Sequence, residues 1–423
     1  MNEQLLRFVW KFRLFNTESL TTTSGEKVQL VHQGIANSDA GPDFQNAKIR
    51  IGETLWAGNV ELHIKSSDWF LHHHQRDAAY NNVILHVVFK DDGKQAVREN
   101  GEPIPVLKLE GRINRTTLTR YEQLANRKKQ IHCADFFPEA AEDITNSFLS
   151  GLLVERLERK VQRINEMLTE SKGDWEHVMF RLIARYLGAG VNREPMELLA
   201  KSLPLTVYAK YSDEPMQTEA LLLGQAGLLD QNFDDDYAAQ LRKEYLYLKR
   251  LHQLEPLPRH VWKLLRLRPA NFPDIRIAQL ASLLIKHKHL FSAARNCFNV
   301  KSVHRLFETE VSEYWKTHYL LDKKSARVKY NIGTSTKNVL LINAVAPVLF
   351  AYGKYKDEDK YCEQSMELLE TCQPENNALL TYWKSHSVQA KNAFDTQALI
   401  QLRTAYCENF RCLECRVGLQ LLK

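Results

Sequence analysis

Four residues near the start of the chain carry the clearest chemistry: Asp43, Glu61, His63 and Lys65. Asp43 follows Pro42, while Glu61, His63 and Lys65 alternate with Val60, Leu62 and Ile64 in the run GNVELHIK. Successive strand side chains point to opposite faces, so the three ionisable groups share one face and the apolar ones the other. Burying such groups is costly unless something pairs them. A carboxylate at the mouth of the preceding strand can meet Glu61 on its neighbour. Two carboxylates at short range repel, and a divalent cation removes the repulsion. Mg2+ or Mn2+ suits a site with few carboxylates, retained waters and room for a phosphate. The structural alternative is a turn-capping aspartate and a cross-strand ion pair on a solvated face.

Three further groups of residues bear on function. His72 and His74 lie in a histidine run after Trp69, with Asp77 and Tyr80 close behind, and His86 sits inside the apolar run VILHVVF. His72, His74, Asp77 and His86 are candidates for lining the same pocket; otherwise the run is a solvent-facing loop and His86 a hydrogen-bonded core residue. Cys407, Cys412 and Cys415 follow a C-x4-C-x2-C spacing. Thiolates at that spacing chelate Zn2+ or an iron–sulfur cluster, with Cys133, Cys362 or Cys372 as the fourth ligand; the alternative is buried thiols at a helix end. Residues 242–268 hold eight Lys or Arg against two Glu, interleaved with Tyr245, Tyr247 and Trp262. Arg242, Lys243, Lys249, Arg250, Lys263 and Arg266 are the candidate phosphate contacts, with the aromatics available to stack on bases. Arg127, Lys128 and Lys129 form a smaller basic cluster. Long cationic chains also simply cover helix surfaces.

The proline–aspartate pair, a hairpin, then a glutamate with a basic residue two positions on resembles the core motif of the PD-(D/E)XK nuclease superfamily. The resemblance implies a restriction-endonuclease-like mixed sheet and metal-dependent hydrolysis of DNA or RNA. It makes Asp43 and Glu61 metal ligands, with the water-activating lysine position falling on His63. Lys65, on the same face, is the substitute, or His63 does the proton work. The other outcome is a catalytically degenerate module that binds nucleic acid or a protein partner and keeps a structural metal site. The stretch NIGTSTKNVLLINAVAPVLFAYG and the cysteine-rich end also resemble a family of bacterial proteins known only as a domain of unknown function.

Positioning these residues requires a short helix over 3–15 and strands near 27–31, 47–51, 58–65, 83–89 and 106–109, with Gly58 and Asn59 tightening the hairpin. That order is an α/β domain, placed at residues 1–138. From 139 to 423 the apolar period becomes helical, as at Val154, Leu157, Val161, Ile164 and Leu168. Helices are expected over 143–171, 174–187, 216–228, 236–252, 259–267, 276–288, 360–370, 376–385 and 395–406. The chain is therefore an α/β N-terminal domain followed by a large all-α region.

Composition fits this organisation. Apolar residues make up 44% and charged residues 26% of 423 residues, which suits packed domains rather than disorder. The net charge of +6 permits a nucleic-acid partner without demanding one. The run Val339–Tyr352 is too short for a membrane span and reads as a core segment. The charged N-terminal residues are unlike a secretory signal, so a cytoplasmic protein with reduced thiols is expected. P-loop, GxGxxG, GxSxG and HExxH signatures are missing.

Overall fold

The computed structural model describes residues 1–37, 39–126, 131–134, 146–386 and 388–422. The chain divides into two compact units, one of Met1–Phe148 with Leu402–Lys423, the other of Leu149–Gln401. The last stretch of chain thus belongs with the first unit, which a single cut at 138/139 does not capture.

Helix α1 (Glu3–Lys11) opens the first unit, with the Asn2 side chain accepting from the Leu5 N–H at its N-terminus. Its apolar stripe of Leu5, Leu6, Phe8, Val9 and Trp10 is buried. Strands β1 (Val28–His32), β2 (Ile35–Ala36), β3 (Phe44–Ile51), β4 (Thr54–Lys65), β5 (Val83–Lys90) and β6 (Val106–Lys108) form one sheet in the order β1-β3-β4-β5-β6, with β2 also on β3. The pairs β1–β3 and β3–β4 are antiparallel; β4–β5 and β5–β6 are parallel. This is the expected mixed sheet.

The β3–β4 hairpin pairs Ile51 with Thr54, so its loop is Gly52–Glu53. Gly52, at φ +59°, supplies the left-handed residue that such two-residue loops favour. Gly58 instead lies within β4, opposite Ala47. A Cβ there would come within 2.5 Å of Ile84 Cγ2 and 2.6 Å of the Asn82 carbonyl, so its role is the close approach of β5.

One face of the sheet, with Val60, Leu62, Leu85 and Val87, shares a core with the apolar residues of α1. The opposite face carries Glu61, His63 and His86. Parallel pairing of β4 and β5 requires a crossover, and residues 66–82 provide it. They form helix α2 (Asp68–Leu71) and two 3-10 turns, His74–Arg76 and Ala78–Tyr80. Trp69 anchors this segment, fully buried, its indole N–H donating to the Val97 carbonyl at 3.0 Å. Ser66 ties its entry to the end of β5 through Asp91 and Asp92 at 2.7 and 2.6 Å. Helix α3 (Arg115–Ala125) follows, and the C-terminal Leu422 joins the α1 core.

The second unit is helical apart from a two-stranded ribbon, His318–Leu320 with Lys323–Lys324. The helix expected over 259–267 does not form beyond the short turn Arg259–Val261. That segment is pinned in extended form instead: the Leu257 N–H donates to the Gln225 carbonyl, the Trp262 indole to the Ala226 carbonyl, and Asn192 bonds both backbone groups of Lys263. The run Val339–Tyr352 lies inside a helix, Thr334–Lys356, that is long and apolar enough to cross a membrane, yet it is mostly buried within the protein. A π-turn at Leu341–Val345 precedes Pro347: the Ala346 N–H reaches the Leu341 carbonyl, and Pro347 has no N–H for Ile342. Lys160 Nζ donates to that Ile342 carbonyl at 3.1 Å.

Candidate functional site

The β3–β4 hairpin brings Asp43 and Glu61 together through reciprocal backbone contacts. The Asp43 N–H donates to Glu61 Oε2 at 2.9 Å, and the Leu62 N–H donates to Asp43 Oδ2 at 3.2 Å. Arg7, from α1, lies 3.1 Å from Asp43 Oδ1. Burial first, and then the charge of Glu61, push the Asp43 carboxyl up to about 7 against the opposing charge of Arg7. Glu61 is 6% exposed, and its other oxygen, Oε1, lies 3.4 Å from His74 Nε2 and 3.6 Å from His63 Nε2.

His63 is the hub of the site. It is 1% exposed, with Nδ1 2.9 Å from His86 Nε2 and Nε2 3.0 Å from His72 Nδ1. Register explains the first contact, since Glu61 pairs with His86 across the parallel strands and both face the crossover. The crossover explains the second. His73 takes φ +61°, and its neighbours His72 and His74 both turn toward His63. Burial holds His63 down to about 2 and His86 to about 3, with the neighbouring imidazoles adding to the effect. Both rings are therefore neutral near pH 7, the state in which imidazole ligates metal. A proton on His63 Nδ1 donated to His86 leaves the Nε2 lone pair directed at Glu61 and His72.

His74 is the least satisfied member. It is buried, and neither ring nitrogen has a hydrogen-bond partner among the described residues. Tyr80 stacks on it at 3.7 Å and Trp69 meets it edge-on at 5.3 Å. Burial raises the Tyr80 hydroxyl to about 12, followed by the charges of Glu61, Asp77 and Asp43. Ligand atoms of His63, His72 and His74 all lie within 4.8 Å of one another. With Glu61 Oε1 alongside, this is a three-imidazole, one-carboxylate donor set, which fits Zn2+ or Mn2+ better than the all-oxygen surroundings Mg2+ prefers.

The remaining expected residues fall elsewhere. Lys65 is exposed at the end of β4, where its N–H donates to Asp68; four strand residues put it roughly 13 Å along from Glu61. Asp77 is exposed and caps a turn by accepting from the Ala79 N–H. Arg7 was not foreseen in the sequence; its one signal is a cation on an otherwise apolar helix stripe. Cys133 packs against the same core as Phe410 and Leu413, which lie between Cys407 and Cys415 in the chain, and the Cys407 thiol is pushed up first by burial and then by the other three cysteines.

In the second unit, Arg242, Lys243, Lys249 and Arg250 lie on the helix Asp236–His252, and Lys263 and Arg266 on the pinned segment after it. Lys243, Arg250, Lys263 and Arg266 are exposed. Tyr245 and Trp262 are not available for stacking: both are buried, one bonded to Gln225 and the other to the Ala226 carbonyl. Tyr247 is exposed. The cluster Arg127, Lys128 and Lys129 lies outside the described residues.

The chain belongs to the family described as Protein of unknown function (DUF2851), whose model matches residues 3–378. The cysteines at 407–415 lie beyond the matched span. No curated protein and no solved structure matches the chain.

Proposed function

We propose that this protein is a metal-dependent nuclease, hydrolysing phosphodiester bonds at the crossover face of its mixed sheet. One observation carries the reading: a buried carboxylate, Glu61, lies between a second carboxylate and the imidazoles of His63 and His74, and neither ring nitrogen of the buried His74 has a hydrogen-bond partner among the described residues. Such an arrangement is unfavourable alone and favourable around a cation. The hairpin placing Asp43 beside Glu61, and the mixed sheet carrying it, agree with the PD-(D/E)XK resemblance.

Glu61, His63, His72 and His74 would hold the ion. When bound it would polarise a phosphoryl oxygen and lower the pKa of a water. Asp43, whose carboxyl titrates near neutrality, is suited to accept the proton of the attacking water. His86 orients His63 from behind. Arg242, Lys243, Lys249, Arg250, Lys263 and Arg266 are the proposed backbone contacts for nucleic acid.

The test is cleavage of labelled single- and double-stranded DNA and RNA by EDTA-treated protein resupplied with Mn2+, Zn2+ or Mg2+. Cleavage that needs the ion and is lost in Glu61→Gln, with unchanged circular dichroism, supports the reading. Metal binding without cleavage of any substrate overturns it and leaves a binding module.

A further inference from the structure

The four cysteines of the first unit have no part in that chemistry. Cys407 ends the π-helical turn Leu402–Cys407, Cys412 opens the turn Cys412–Glu414, and Cys415 precedes the helix Arg416–Leu422. All three are buried, and the half-buried Cys133 reaches them from far along the chain. None of the seven cysteines is in a disulfide.

The local backbone is shaped around the sulfurs. Burial pushes the Cys415 thiol up, and the nearby backbone N–H groups of Gly418 and Val417 act in the opposite direction, toward the thiolate. Gly418 packs so tightly on this loop that a Cβ would lie 2.0 Å from the Cys412 carbonyl oxygen. The chain end is fastened to α3 as well, with Thr117 Oγ1 donating to the Leu422 carbonyl and Arg120 to the Leu421 carbonyl. Phe410 packs on Tyr121 and His132, next to Cys133.

We propose that Cys133, Cys407, Cys412 and Cys415 ligate an iron–sulfur cluster that staples the two chain segments of the first unit. The donor set is four thiolates, which soft metals select. Spacing favours a cluster over a single ion. The run C-x4-C-x2-C at Cys407, Cys412 and Cys415, with a fourth cysteine far off in the chain, is a spacing that ligates iron–sulfur clusters. On ligation each thiol would release its proton to solvent, and the bond to iron would offset the penalty that burial places on the free thiolate; iron and sulfide come from cluster assembly in the cell.

This inference is independent of the nuclease reading. The experiment is anaerobic purification of the full chain, before and after reconstitution with ferrous iron and sulfide. Iron, acid-labile sulfide and zinc are measured together with the visible spectrum. Iron and acid-labile sulfide in equal amounts, about two or more of each per chain, are expected with a broad charge-transfer band. Cys412→Ser and Cys133→Ser should lose both, while Cys372→Ser, buried in the other unit, and Glu61→Gln keep them. Should Cys412→Ser fail to fold, the half-buried Cys133 decides: full iron content in Cys133→Ser would overturn the four-thiol site. Stoichiometric zinc without sulfide, or no metal after reconstitution, would overturn the cluster.

Discussion

Two buried glutamates, one in each unit, show how differently the same side chain is used. Glu219, in the helical unit, is 2% exposed and accepts from the Trp315 indole at 2.7 Å, the Tyr237 hydroxyl at 3.0 Å and Ser312 Oγ at 3.4 Å. Burial raises its pKa and these three neutral donors lower it. Glu61 is almost as buried, but one of its oxygens has only imidazole nitrogens at 3.4 and 3.6 Å, without hydrogen-bond geometry, and its neighbour is another carboxylate. A satisfied buried charge is part of the scaffold. An unsatisfied one beside unmatched acceptors is the ground on which the metal site is proposed.

The largest expected effect comes from making the same substitution at both glutamates. Glu219→Gln puts a neutral amide oxygen where a carboxylate oxygen, Oε2, accepts from all three donors and so weakens charge-assisted bonds, and the protein should lose about 2–3 kcal/mol. Glu61→Gln in EDTA at pH 7 should lose nothing or gain, because it removes the repulsion with Asp43 and its NH2 faces imidazole lone pairs. Urea unfolding of both variants measures this. Equal losses would make Glu61 a scaffold residue like Glu219.

The next effect separates the two carboxylates of the hairpin by pH. The folded Asp43 carboxyl sits at about 7 against an ordinary 3.8. Between those values the folded chain keeps a proton that the unfolded chain has lost, so this stability is full at low pH and is lost as pH rises toward 7. His63 and His86, held at about 2 and about 3 against 6.5, act in the opposite direction: stability is lost as pH falls below 6.5. Asp43→Asn should remove only the first trend. In EDTA, its stability relative to the parent should climb from about pH 4 to about pH 7, by up to about 1.4 kcal/mol per pH unit. A flat difference would mean that Asp43 is ionised throughout, with Arg7 as its partner.

Much of the Glu61 site was legible because strand geometry is local. The alternation of Glu61, His63 and Lys65 placed Glu61 and His63 on one face, and the β-branched run around His86 marked the neighbouring strand. The contribution of His72 and His74 was legible only as one of two alternatives, a shared pocket or a solvent-facing loop. It depends on β5 running parallel to β4, on Trp69 anchoring the crossover, and on the left-handed His73, none of which a spacing rule encodes. Lys65 shows the limit of the face argument, since sharing a face leaves it too far along the strand. Helical periodicity failed at 259–267, where bonds from Gln225, Ala226 and Asn192 hold the chain extended. The helix through Val339–Tyr352 was hidden by Pro347, whose missing N–H is absorbed by the π-turn and by Lys160. Glu219 had no sequence signal at all; its partners Tyr237, Ser312 and Trp315 come from distant segments.

The smallest effect is the sharpest test of the comparison. If the His74 nitrogens are unmatched in the metal-free protein, removing them costs no hydrogen bond. Phenylalanine keeps the stack on Tyr80 and the edge contact with Trp69. His74→Phe in EDTA should therefore stay within about 1 kcal/mol of the parent, with any change favouring the variant. The difference should appear only on adding Mn2+ or Zn2+. The parent gains melting temperature by mass action, about 2.7 kcal/mol at a hundredfold excess over Kd, and the variant gains none. A loss of more than about 2 kcal/mol in EDTA would instead show that His74 is hydrogen-bonded in solution. Glu61 would then sit in a closed polar network of the Glu219 kind, and the metal would have to be sought at Asp43 and Glu61 alone.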